Sequence, residues 1–185
     1  MNHVGTRRLE TERLILRRYT VQDAPAMFRN WASDPEVTKY LTWPVHTSVE
    51  ITRGLIGNYW IPEYERPDTY HWGLELKQTG ELIGDIAAVH IAEPIAEAEL
   101  GWCMGRAWWG NGYMPEAARA VVNYLFDEAG FNRVMAGHDV DNPKSGRVMR
   151  KIGMSFEGVH RQAGRNNQGV VDMAFYAILK SDART

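Results

Sequence analysis

Residues 98–129 read AELGWCMGRAWWGNGYMPEAARAVVNYLFDEA, and their reading decides the fold. The first part, 98–104, mixes aromatic and apolar residues with Glu99 and reads as a strand of about seven residues. A helix follows. Pro115 suits a first helical turn, Glu116 suits the positive end of a helix dipole, and Met114, Ala118, Val121, Val122, Leu125 and Ala129 recur at helical spacing. Between strand and helix lies the junction Trp109-Gly110-Asn111-Gly112-Tyr113.

That junction suits an anion. Its two glycines let the backbone turn and approach a ligand closely, while the first N–H groups of the following helix have no partner within the helix. Asn111-Gly112 is also a hairpin signal, but Pro115 and a helical period follow it where a hairpin needs a second strand. A dinucleotide fingerprint fails because its third glycine falls at Pro115, and no Gly-Lys-Ser/Thr closes a Walker loop. A turn without any ligand remains the alternative for a lone Gly-x-Gly.

A second stretch, DNPKSGRVMRKIGM at 141–154, makes the first specific. Together the two resemble the GNAT N-acetyltransferase superfamily, and within it the RimJ/RimL-type branch that includes ribosomal-protein N-acetyltransferases. The matching residues are Glu99-x-Gly101-Trp102, Trp109-Gly110-x-Gly112-Tyr113-x-x-Glu116-Ala117, Asn142-x-x-Ser145 and Lys151-x-Gly153-Met154. Thr11-Glu12-Arg13-Leu14-x-Leu16-Arg17 near the start, and Asp172 with Tyr176 late in the chain, fit the same branch. One departure is visible: the family's loop opens with Arg or Gln three positions before its first glycine, and here Ala107 stands there with Arg106 one place earlier.

The resemblance implies an α/β (α+β) fold: a mostly antiparallel mixed sheet of about seven strands with one splayed parallel pair, flanked by about four helices. It implies acetyl-CoA as cosubstrate, a primary amine as acceptor, no metal, and direct attack of the amine on the thioester through a tetrahedral intermediate. The acceptor is either a protein N-terminal amine or a small molecule. A homodimer is compatible with this branch. A coenzyme-binding sensor or interaction module without turnover is the alternative.

Composition sets the bounds. A chain of 185 residues with 44% hydrophobic content can bury a full core and suits one domain spanning 1–185, with no linker, repeat or low-complexity block dividing it. The formal net charge of -2 gives no general attraction to nucleic acid or to an anionic membrane. Residues 1–8 carry no apolar run of the signal-peptide kind, and no segment approaches the ~18 apolar residues of a membrane span. The single cysteine, Cys103, excludes an intramolecular disulfide framework, so a reducing cytoplasm is the expected setting.

Taken in order, 14–19 reads as the first strand, and Asp23 as the cap of a helix to about Ser33 that Asp34-Pro35 ends. Thr47-x-x-Glu50 reads as a capping box for a helix over 49–60 whose Ile51, Leu55, Ile56 and Tyr59 face the core. Strands at 70–77 and 82–91 flank a short polar turn, and 133–140 is a further strand. Pro143 opens a helix capped by Asn142 or Asp141, with Val148, Met149 and Ile152 on its apolar side. Two last strands, 155–162 and 170–179, enclose GRNNQG at 164–169, which reads as a polar hairpin loop able to help select the acceptor.

Acetyl transfer needs a base for the amine and an acid for the departing thiolate. Glu99, on the strand that flanks the thioester in the family, is the candidate base; an ion pair or a solvated strand face is its bland alternative. His138 and Asp139 are weaker bases. Ser145 is the candidate acid, with plain helix capping as the alternative. The resemblance assigns coenzyme binding to Trp102, Cys103, Met104, Trp109, Gly110, Asn111, Gly112, Tyr113, Met114, Asn142, Ser145 and Arg147. A strand N–H near Cys103 or Met104 is the expected donor to the acetyl carbonyl. Lys144, Arg147, Arg150 and Lys151 form a basic cluster that suits phosphates, and Tyr40 and Trp43 are candidate acceptor contacts.

Overall fold

The computed structural model describes residues 1–182. The strands, in chain order, are β1 (Leu9–Glu10), β2 (Leu14–Arg17), β3 (His71–Leu76), β4 (Leu82–Ala92), β5 (Glu97–Met104), β6 (Arg133–Asp139), β7 (Ser155–Asn166) and β8 (Gly169–Leu179). They form one sheet ordered β1-β2-β3-β4-β5-β6-β8-β7. Every pairing is antiparallel except β5 with β6. The eighth strand is β1, two residues long, too short for its sequence to announce.

The helices are α1 (Ala24–Met27), α2 (Pro35–Thr38), α3 (Val49–Leu55), α4 (Ile61–Glu63), α5 (Tyr113–Asp127) and α6 (Pro143–Lys151). A widened turn, Phe28–Ala32, continues α1, and another, Ile56–Trp60, joins α3 to α4. Alternation along β5 divides the core. Ala98, Leu100 and Met104 pack into the cluster that holds Met114, Ala118, Val121, Val122 and Leu125 of α5, whereas Cys103 joins Met27, Trp31, Ile56 and Tyr64 beneath α1–α4. Each buried Val, Leu, Ile or Met side chain among them contributes about 1.5–3 kcal/mol. The helical spacing read from 114–129 therefore describes the buried face of α5 correctly.

The sheet is split at one place. β5 pairs with β4 from Glu97 to Met104, yet it meets β6 only at Glu97↔Arg133, Ala98↔Val134 and Glu99↔Met135. Past Glu99 the parallel strands diverge, which leaves the β6 side of β5 without a ladder partner.

Several local expectations are corrected. The first strand ends at Arg17 rather than Tyr19 because Arg17 turns its guanidinium to Glu75 and Asp23, and Asp23 accepts from the Thr20 N–H at 2.8 Å instead of capping α1. The Thr47-x-x-Glu50 box does not form: Ser48 occupies the cap position without a side-chain bond. That helix also turns a different face inward. Thr52 is buried and bonded to His46 Nδ1 at 2.8 Å, Ile56 is buried, and Ile51 and Tyr59 are exposed. A widened turn between Ile56 and Trp60 breaks the 3.6-residue period that placed Tyr59 inside.

The supposed loop at 164–169 is mostly strand. Gly164, Arg165 and Asn166 pair with Val171, Val170 and Gly169, so only Asn167 and Gln168 make the turn. Gln162, at φ +52°, lies in the irregular stretch just before, and its N–H donates to Asp172 Oδ1 at 2.7 Å.

Candidate functional site

A cleft of 1660 Å³ follows the split, which exceeds the roughly 300–1,000 Å³ of a single small-ligand pocket. One end is built by the 110–113 junction and α6. Gly110 and Gly112 have φ of +82° and +81°, and a Cβ on Gly110 would meet nothing within 4 Å, so the backbone there is open to a ligand. Gly112 stands at the N-cap of α5, and Pro115 sits in the first turn, where its missing N–H costs nothing.

A latch outside the loop holds it. Glu116 accepts from the Thr11 hydroxyl at 2.5 Å, the Arg13 N–H at 2.8 Å and Arg13 Nε at 2.7 Å, while Arg13 Nη1 donates to the Asn111 carbonyl at 3.0 Å. Burial raises the Glu116 carboxyl, but the bonds from Thr11 and Arg13 outweigh it and hold the group below the usual carboxylate range. Arg13 also lies 4.4 Å over the Tyr113 ring. Glu116 is thus more than a dipole partner: it ties the β1–β2 turn to the helix that carries the junction.

Trp102, Cys103, Met104, Trp109, Gly110, Gly112, Tyr113, Met114, Asn142, Ser145 and Arg147 all line the cleft. Asn111 does not; its amide nitrogen donates to the carbonyls of Trp108 at 3.2 Å and Trp109 at 3.3 Å. Trp109 Nε1 donates to the Met104 carbonyl, and Lys144 Nζ lies 3.8 Å from the Trp109 ring centroid. Asn142 occupies the cap of α6 without a side-chain bond there, its amide engaged by no hydrogen bond among the described residues, and Ser145 follows one turn later. Of the basic cluster, Lys144, Arg147 and Lys151 line the cleft, whereas Arg150 donates to Tyr176 Oη at 2.9 Å. Arg106 does not stand in at the loop opening; it pairs with Asp34 at 3.1 Å.

Glu99 sits at the last paired step of β5 and β6 and lines the cleft. Burial lifts its carboxyl above the ordinary range; His90, its Cα partner on β4, opposes the lift and Glu97 adds to it. The weaker bases are otherwise engaged. His138 Nδ1 bonds the Asp139 carbonyl, its Nε2 is sealed without a partner against Gly146, and Asp139 accepts from Asn166 and from the Asp141 N–H. Cys103 donates to Asp85 Oδ1 at 3.1 Å, and burial, with Asp85 beside it, pushes its thiol well above the usual value, which disfavours the thiolate a nucleophile needs.

The other end draws on distant segments. Tyr40 Oη donates to the Asp141 carbonyl at 2.8 Å, and Asn167 Nδ2 donates to the carbonyls of Thr38 at 2.8 Å and Trp43 at 2.7 Å. The 40–43 segment is therefore pinned both to the start of α6 and to the β7–β8 turn. Trp60, His71 and Asp85 complete this end. Sequence reading missed all three, since none belongs to a motif; the only signal was a polar residue at two otherwise apolar strand positions.

The comparisons with known proteins agree with this geometry. A family profile described as an acetyltransferase (GNAT) domain matches residues 13–155. The chain is 37% identical to the uncharacterized N-acetyltransferase YoaA of Bacillus subtilis, over 93% of this chain and 96% of that one. It is 26% identical to the [ribosomal protein uS5]-alanine N-acetyltransferase of Escherichia coli, over 82% of this chain and 79% of the other. Its fold superposes with a TM-score of 0.83 on RimL, a ribosomal alpha-N-protein acetyltransferase solved with coenzyme A, at 23% identity and with 96% and 99% of the two chains covered. The parallel split, the open glycine turn and these matches together place the chain in the GNAT family of acetyl-CoA-dependent acetyltransferases, among relatives that include ribosomal-protein N-acetyltransferases of the RimJ/RimL type.

Proposed function

We propose that the chain transfers the acetyl group of acetyl-CoA to a primary amine, and that the acceptor is the N-terminal α-amine of a protein. The observation that carries the reading is the three-pair contact between β5 and β6 beside an open glycine turn: a peptide-like pantetheine arm can satisfy the strand groups left without a ladder, as an added strand would. Three features fit the coenzyme. The backbone at Gly110 is open, Asn142 makes no side-chain cap bond, and Ser145, Lys144 and Arg147 line the same end.

In this reading the junction N–H groups of 110–114 and the basic side chains hold phosphate, and Asn142 bonds a pantetheine amide. An N–H near Cys103 or Met104 polarises the acetyl carbonyl. Glu99 accepts a proton from the attacking nitrogen, directly or through a water; its lifted pKa makes it a stronger base than an ordinary carboxylate. Ser145 delivers a proton to the thiolate. The α-amine is favoured because its pKa near ~8 needs less help than the ~10.4 of a lysine, and the E. coli relative acts on an alanine of a ribosomal protein. Tyr40 and Trp43 form the acceptor wall.

The test is thiol release from acetyl-CoA against peptides with varied N-termini, lysine-bearing peptides with blocked N-termini, and small amines. Release with free N-termini and none with blocked ones is expected. Release with small amines alone would refute the protein acceptor, and tight binding without release from any acceptor would favour a coenzyme sensor.

A further inference from the structure

Resting on that reading, we propose that the Asp85–His71 pair is the docking point of the acceptor ammonium, with His71 Nδ1 taking its first proton. The two residues come from neighbouring strands: His71 is the Cα partner of Ala87 and Asp85 of Gly73. Ala87 and Asp85 are in turn opposite Gly101 and Cys103 on β5, and period-two alternation puts Gly101 and Cys103 on the same face as Glu99. The pair thus shares one cleft floor with the candidate base.

Its hydrogen bonding is that of an oriented imidazole. His71 Nε2 lies 3.0 Å from Asp85 Oδ2, and Asp85 Oδ1 accepts from Cys103 Sγ at 3.1 Å. The Trp60 ring meets the imidazole edge-on at 4.4 Å, and Tyr19 packs at 5.2 Å. The His71 backbone is pinned too, its N–H donating to Thr6 Oγ1 and its carbonyl accepting from Tyr64 Oη. With Nε2 committed to the carboxylate, Nδ1 is the free nitrogen. Among the described residues it bonds no protein group and, unlike Nε2 of His138, it is not sealed, while both residues of the pair line the cleft. A carboxylate that fixes an imidazole whose other nitrogen faces a substrate cleft is a proton-accepting arrangement.

The charges around the ring support this. Among the described residues, Asp85 bonds the ring and Tyr19 packs on it, while Tyr64 bonds the His71 backbone carbonyl and Cys103 the Asp85 carboxylate. Burial keeps the last three protonated, Tyr64 pushed up to about 12 and Tyr19 and Cys103 well above their usual values. Beyond them, Arg18 lies on Tyr64, Asp23 is bonded by Arg17, and at the rim Arg66 is committed to Asp68 while Glu63 adds a further negative charge. Asp85 is therefore the anion in direct contact with the ring, and the floor favours an arriving cation.

The chemistry needs a second acceptor of protons. A primary amine arrives as an ammonium and sheds one proton before it can attack. The N–C bond then forms and the C–S bond breaks, and the nitrogen sheds another proton to become an amide, while the thiolate regains one through Ser145. Glu99 serves the second loss; His71 serves the first.

The probe is alaninamide, a minimal α-amine, added to the full chain carrying ¹⁵N-labelled histidine and bound CoA, with ring-nitrogen shifts read by NMR and assigned through His71→Gln. A saturable change at His71 Nδ1 is expected, at least about tenfold weaker in Asp85→Asn and absent at His138. A still His71 while calorimetry shows the chain binding CoA would overturn the proposal alone; no binding of CoA would remove both the proposal and the reading beneath it. In turnover of the best peptide of the thiol-release panel, His71→Ala lowers kcat/KM about 100-fold with the rate regained in part by added imidazole. A folded His71→Ala at the wild-type rate overturns the proposal.

Discussion

The two ends of the cleft are built by opposite means. The end proposed for the coenzyme comes from two continuous stretches, the 110–113 junction with the start of α5 and the 142–147 turn of α6. The end proposed for the acceptor is assembled from the 40–43 segment, Trp60, His71 on β3, Asp85 on β4 and the β7–β8 turn; bonds spanning more than a hundred positions tie residues 38–43 to Asp141 and Asn167, and His71 is bonded to Asp85. A site made of consecutive backbone is fixed by local conformation. A site made of side chains from five segments is fixed only by the fold, so it can change its ligand while the coenzyme end stays the same.

That contrast predicts that damage at one end leaves the other end's binding constant alone. The largest effect falls between them, at the chemistry. Glu99→Gln lowers kcat/KM by about 10²-fold or more with both ligands still bound. Its pH profile decides the cause: the wild-type carboxyl, with its pKa raised, must be ionised to accept a proton, so the wild-type rate falls as pH drops through that raised value and the variant loses this acid limb. A Glu99→Gln profile equal to wild type would exclude Glu99 as the base. Ser145→Ala lowers kcat by about tenfold or more with acetyl-CoA affinity retained, and a wild-type kcat in steady-state assays would remove Ser145 from the mechanism.

Gly112→Val tests the coenzyme end alone. At φ +81° a β-branched residue costs about 1–3 kcal/mol, which predicts about 10–100-fold weaker acetyl-CoA binding by calorimetry and an unchanged acceptor KM. Asn167→Ala is the mirror experiment: loss of its bonds to Thr38 and Trp43 should raise the acceptor KM about three- to tenfold and leave coenzyme affinity unchanged. A shared loss in both constants in either variant would break the division between the ends.

The smallest effect concerns the latch. The Glu116 carboxyl is depressed in the folded state, so its contribution is present above the ordinary glutamate pKa and is lost as pH falls through the folded value. Glu116→Gln should cost about 1 kcal/mol near neutral pH, because Arg13 is partly exposed, and the gap in thermal melts should close in acid. A gap independent of pH would mean that packing, and not the ionised carboxyl, holds the latch.

The same contrast explains what the sequence made legible. The buried face of α5, the open turn at Gly110 and Gly112, and the cap position of Asn142 follow from neighbours in sequence, and they could be read there. The Thr47 box failed because Thr52 turned inward to His46, a choice made by packing rather than propensity. The 164–169 segment looked like a loop by composition, yet pairing with β8 outweighed its polar residues. His71 and Asp85 were invisible because fourteen positions and a strand register separate them, and only the sheet sets that register.

The most direct measurement is calorimetric titration of acetyl-CoA into the full chain beside the Gly112→Val variant. Saturable one-to-one binding, lost or weakened about 10–100-fold in the variant, is the predicted result. No binding to the wild-type chain, or equal binding by a folded variant, would contradict the assignment of the glycine turn and the split between β5 and β6 as the acetyl-CoA site.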